Sequence, residues 1–151
     1  EAKAPVTFDW LFHSPGSIVS NSNACAEIHD ADTRMRMAWT GPIQTTPTIG
    51  VVPVEAEYPD KDWSRLNVLN LNQTGTADTW LATAMVAENG KTHDITFVQP
   101  SPGRLEVSVQ SETRSIRVSF CNIGAKRKGP SVLNQVRVES GSAPDRSVPP
   151  R

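Results

Sequence analysis

The feature that most constrains this chain is a period of two, met again and again along it. In "TRMRMAW" Met35, Met37 and Trp39 fall on one side and Arg34 and Arg36 on the other. "RLEVSV" alternates Leu105, Val107 and Val109 with Glu106 and Ser108, and "RSIRVSF" alternates Ile116, Val118 and Phe120 with Arg117 and Ser119. "NQVRVES" repeats the pattern with Val136 and Val138. Side chains of a strand point alternately to its two faces, so each run predicts a strand with one buried and one wet side. Sustained helical periodicity is absent. "DTWLATAMVAE" is apolar on both faces and predicts a central strand covered from two sides.

Turn chemistry separates the runs at short intervals, as in "SPGS", "HDAD", "TGTAD" and "PSPG". Asn89-Gly90, between two strand-like runs, is the strongest hairpin signal. Many short strands with 12 prolines among 151 residues predict an all-β fold, a single-domain antiparallel β-sandwich over residues 1–139. Trp10, Met37, Trp80, Val107, Val118 and Phe120 are its expected buried residues. "TTPTIGVVPVEAEYPDKDW" is too rich in proline for a central strand and is expected to be a long surface excursion. From Ser140, "SGSAPDRSVPPR" is expected to be a flexible polar, proline-rich tail over residues 140–151.

The charge balance selects few partners. Net charge is −1, with 37% hydrophobic and 21% charged residues, which excludes wholesale disorder and gives no electrostatic footprint for nucleic acid. No apolar run approaches the ~20 residues that span a bilayer as a helix, so no membrane partner is expected. "EAKAPVTF" has neither a basic leader nor an apolar core. The chain is thus expected to be cytosolic, a mature secreted product or a piece of something larger.

Cys25 and Cys121 form no CxxC. They either pair, closing a long loop that persists only in an oxidising compartment, or stay as two separate buried thiols. The histidines His13, His29 and His93 have no partner at a spacing that completes a metal site, although "HDAD" offers His29, Asp30 and Asp32 either as ligands or as a polar turn. Arg34, Arg36, Arg114, Arg117 and Arg137 lie on polar strand faces. They form either a solvated stripe or a grip for a polyanionic glycan. Of four tryptophans, Trp63 alone is expected on a surface loop, where it can stack on a sugar. Asn72 in "NQT" is a glycosylation sequon. "FDWLFHSPGSI" is the oddest stretch: an apolar run ends in His13, which either caps a buried face or belongs to a metal or substrate site.

That stretch resembles an aromatic-x-Trp-Leu-x-His element of the heparinase II/III-like polysaccharide lyases, carried here by Phe8, Trp10, Leu11 and His13. "DTRMRMAWTGP", the pair of strands in "SRLNVLNLNQTGTADTWLATAMVAENG", and "RLEVSV" with "SIRVSF" resemble later elements, so the likeness spans Phe8 to about Phe120. The resemblance implies the C-terminal β-sandwich of such a lyase, attached to an upstream helical toroid, in a secreted or periplasmic parent. It implies β-elimination of a uronic-acid-containing polysaccharide by that parent. Such chemistry needs a carboxylate-neutralising group, a base and an acid held together, and the family carries them mostly on the toroid and the first sandwich strands. This chain is therefore expected to have no catalytic residue of its own. Arg34, Arg36 and Trp63 are its expected substrate contacts. The resemblance makes His13 a ligand to a zinc in the intact parent, shared with residues upstream of Glu1, and no cofactor is expected for this chain alone. The alternative is a stand-alone carbohydrate-binding or interaction module with the same fold.

Overall fold

The computed structural model describes residues 5–53, 65–75, 80–88, 91–121 and 136–142. It is all-β and antiparallel: among the described residues there are eleven strands and no helix. The chain divides into two compact units, residues 1–89 and 90–151.

The first unit is a β-sandwich of two sheets. One has the order β1-β6-β5, from β1 (Val6–Ser14), β5 (Thr46–Pro53) and β6 (Arg65–Gly75). The other has the order β2-β3-β4-β7, from β2 (Ser17–Ser22), β3 (Cys25–Asp30), β4 (Thr33–Thr40) and β7 (Ala82–Glu88). The alternation of β4 does what it predicts. Met37 and Trp39 turn inward to join Ile18, Ala26 and Ile28 against Leu69 and Leu71 of the facing sheet. Met37 is fully buried, as expected. The Trp39 indole N–H donates to the Asn23 carbonyl at 2.9 Å, which satisfies its polar end at the β2–β3 turn.

The chain crosses between the two sheets at "SPG". The Gly16 amide donates to Ser14 Oγ at 3.1 Å, and its carbonyl accepts from Asn67 Nδ2 at 2.8 Å. A Cβ at Gly16 would lie 2.2 Å from the His29 carbonyl oxygen, so only glycine fits where backbone meets backbone.

The second unit holds one four-stranded sheet of order β11-β10-β9-β8, from β8 (Asp94–Ser101), β9 (Arg104–Gln110), β10 (Arg114–Cys121) and β11 (Val136–Ser142). Phe97, Val107, Val118 and Val138 form one row across all four strands. At the β8–β9 hairpin Gly103 has φ 78°, and Pro102 precedes it, the residue order of a type II turn.

Four expectations are corrected. The "TTPTIGVVP" segment is strand β5, which among the described residues pairs with β6 alone; an edge strand tolerates Pro47 and Pro53 because its outer edge needs no donors. Val54 to Ser64, with Tyr58 and Trp63, lie outside the described residues. β7 is an edge strand rather than a central one, and its Met85 is 53% exposed. Asn89 and Gly90 lie outside the described residues, but the strands flanking them do not pair: β7 joins β4, and β8 joins β9. Ser140, Gly141 and Ser142 belong to β11 and pair with β10, so the structured part runs past residue 139.

Burial also departs from expectation. Val107 is buried, but Trp80, Val118 and Phe120 are half-buried and Trp10 is 38% exposed. Val118 and Phe120 lie on a sheet with no second sheet among the described residues of its unit. Trp10 points the way Leu71 does, yet β1 is an edge strand, and at a sandwich flank an inward side chain still reaches water.

Candidate functional site

Among the described residues β1 is an edge strand, and its inward-facing Trp10 reaches solvent at that flank of the first unit. Period two places Phe8, Trp10 and Phe12 on one side of this edge strand, with ~6.7 Å between successive members. Phe8 and Phe12 are half-buried and Trp10 is exposed between them, so the row shows ring surface to solvent while its ends are anchored. Phe12 also packs against the core cluster.

The row runs into a crevice of about 520 Å³. Phe12, Ile28, Met35 and Met85 supply apolar surface from strands of both sheets, and exposed His13, Asp30 and Thr33 also line it. Asp30 and Thr33 flank the tight β3–β4 turn, in which Ala31 has φ 47°. A long apolar trough with a few polar groups at one end suits a ligand with both a hydrocarbon face and hydroxyls.

Arg34 and Arg36 lie elsewhere, on the outer face of the second sheet. Glu27 of β3 is opposite Arg36, and Glu88 of β7 is opposite Arg34. Arg34 donates to Glu27 and lies 3.2 Å from Glu88, while Arg36 lies 3.2 Å from Glu27 and 3.5 Å from Glu88. His29 Nε2 is 3.4 Å from the other oxygen of Glu27. Both glutamates are buried and the two arginines are partly exposed, so the guanidiniums roof the carboxylates. The Arg34 hydrogen bond holds the Glu27 carboxyl below its usual value. Burial opposes this, and the Arg36 hydrogen bond and the two positive charges reinforce it. Glu27 in turn raises Arg34. Two cations and two anions leave little net field for a polyanion.

Opposite, on the outer face of the β1-β6-β5 sheet, Asp9 accepts from Asn72 at 2.9 Å and from Asn70 at 3.1 Å. These bonds, Asn72 first, lower its pKa. The sequon residue Asn72 therefore already has its amide engaged.

His13 shares the crevice with Asp30, but among the described residues no group of three or more His, Cys, Asp or Glu is placed to hold a metal. One exposed imidazole and one carboxylate fall short of the four donors zinc usually takes, so the residues present do not fit that ion. Cys25 on β3 belongs to the first unit and Cys121 on β10 to the second, and each is a half-buried free thiol. Trp63 lies outside the described residues.

Two groups escaped the sequence. Trp10 was counted with the core, and its place on an edge strand follows from topology. Glu27 and Glu88 are 61 positions apart in sequence and meet only through the register of β4 with both neighbours. No protein-family model, curated protein or solved structure matches this chain.

Proposed function

We propose that this chain is a carbohydrate-binding β-sandwich module that holds a neutral glycan along β1. The observation that carries this is Trp10, 38% exposed on an edge strand between two half-buried phenylalanines, in a row that ends at the crevice. Pyranose rings have one face of C–H bonds, which settles on an aromatic ring and removes apolar surface from water. His13, Asp30 and Thr33 supply donors and acceptors for hydroxyls at the end of the row. A neutral glycan suits this flank better than a polyanion, because the cations Arg34 and Arg36 are held by Glu27 and Glu88.

The second proposal is an accessory role in a heparinase II/III-like polysaccharide lyase acting on a uronic-acid polymer, with catalysis on an upstream toroid. What favours it is the order of strands: the aromatic element on β1, the β2–β3 hairpin, β4, then β6, β7, β9 and β10 follow the sequence on which the resemblance rests.

Affinity electrophoresis through gels containing soluble neutral or uronate polymers separates the two. The first proposal expects retardation by at least one neutral polymer, lost in Trp10→Ala and retained in Arg34→Gln. Retardation by uronate polymers alone, sensitive to Arg34→Gln, would favour the second. No retardation by any polymer in the panel would sink both.

A further inference from the structure

We infer that the polar face of the second unit binds one tetrahedral oxyanion, a sulfate or phosphate group, between Arg104, Arg117 and Arg137. These three arginines, with Glu106, Glu139 and Ser119, line a groove of about 580 Å³. Register explains their convergence. Ser119, on β10, is opposite Arg137 of β11, and Arg117 is two residues before it on the same strand face. Arg104 of β9 is opposite Cys121, two residues further along that face. Neighbouring strands are ~4.8 Å apart and alternate residues ~6.7 Å, so all three arginine Cα atoms lie within about 9 Å of the Ser119 Cα. Guanidinium stems of this length can be brought toward Ser119, which faces Arg137 of β11 on one side and Glu106 of β9 on the other, while Glu139 is opposite Arg117.

Their charge is available, unlike that of Arg34 and Arg36. Arg104 is 3.9 Å from Glu106 and Arg137 2.9 Å from Glu139, and every member of these pairs is at least a quarter exposed. Ion pairs so exposed are weak and readily exchanged for a better acceptor. Arg117 is exposed and makes no ion pair among the described residues. Among the described residues that line the groove, three cations against two carboxylates leave one positive charge, matched to one bound anionic group. Guanidinium forks and a hydroxyl are the donors that a tetrahedral oxyanion accepts from. The arrangement does not depend on the aromatic row of the first unit.

The test is an amide-resolved NMR titration of the full chain with sodium sulfate and with sodium phosphate, against sodium chloride at matched ionic strength. Saturable shifts confined to β9, β10 and β11 are expected with the oxyanions and not with chloride. Arg117→Gln should weaken binding roughly tenfold or more, because it removes a charge-assisted donor. Arg114→Gln, on the opposite face of β10, should leave binding unchanged. Glu139→Gln should tighten it by releasing Arg137. Displacement by dextran sulfate but not dextran would assign the group to an ester on a polymer, and displacement by neither would assign it to the free ion. Identical shifts with chloride, or full affinity in Arg117→Gln with an unchanged thermal midpoint, would overturn the inference.

Discussion

Glu27 and Glu88 sit on either side of β4 and hold both of its outward arginines between them. The carboxylates are buried while the guanidiniums reach water, so the two halves of the network are not equivalent. Removing a guanidinium strands a buried anion; removing a carboxylate leaves a cation that hydrates. Arg36→Ala should therefore destabilise by about 1–3 kcal/mol, and Glu88→Ala by less. Urea denaturation of both variants checks the order. A larger loss for Glu88→Ala would mean that the carboxylates stabilise by more than their pairing.

Acid should unfasten the same network. The carboxyl of Glu27 is depressed below 4.5 in the folded chain, by the Arg34 hydrogen bond first. A depressed carboxyl contributes stability that is fully present above 4.5 and lost as pH falls through the folded value. Asp9, held below 3.8 by Asn72 and Asn70, adds a second loss that starts lower. The part of the thermal midpoint that Glu27 sets should be constant above 4.5 and fall below it. Glu27→Gln should remove the upper part of that fall and leave the part set by Asp9. A variant profile parallel to the wild type throughout would refute the assignment.

What the letters of this sequence disclose, and what they hide, follows one physical line. Alternation is a local property, so β4, β9 and β10 can be read from their own residues, and so can the inward turn of Met37 and Val107. Position within a sheet is not local. β7 is Ala-rich and apolar on both faces, which looks the same for a covered central strand and for an edge strand with Met85 in solvent. Pro47 and Pro53 tell against a central strand, but they permit the edge strand that β5 is. The Asn89-Gly90 signal reports a turn preference, while its flanking strands are claimed by partners in different sheets. The candidate sites divide likewise. Phe8 and Trp10 were visible within a motif, but the row they form with Phe12 and its exposure were not, and the clasp of Arg34 and Arg36 by two glutamates needed a register that one sequence does not carry.

Gly16, in the link from β1 to β2, lies directly against the backbone at the end of β3. An added methyl would stand 2.2 Å from the His29 carbonyl and 2.9 Å from the Asp30 Cβ, both fixed by the β3–β4 hairpin. Gly16→Ala should destabilise by roughly 1–3 kcal/mol, the usual cost of overpacking. Gly50→Ala, which meets nothing within 4 Å, is the matched control in a strand of the same unit. Equal losses in calorimetry would show that backbone freedom, rather than close approach, is what Gly16 supplies.

The β3–β4 turn has the opposite fault. Ala31, with φ 47°, is the one described non-glycine residue at positive φ. It is the first of two residues between Asp30 and Thr33, the position that type II′ hairpins give to glycine. A left-handed alanine costs roughly 1–2 kcal/mol, and Ala31→Gly trades that strain against the greater freedom of glycine in the unfolded chain, a loss of about 0.4–1 kcal/mol. The net expectation is a gain of between zero and about 1.6 kcal/mol, whereas β-branched Ala31→Val should lose stability. Asp30 and Thr33 line the crevice on either side of the turn, so the same pair of variants tests whether its shape matters there. Ala31→Gly should bind the neutral glycan as the wild type does, because relieving the strain leaves both neighbours in register. A more stable Ala31→Gly chain that had lost glycan binding would instead make the strained turn part of the site.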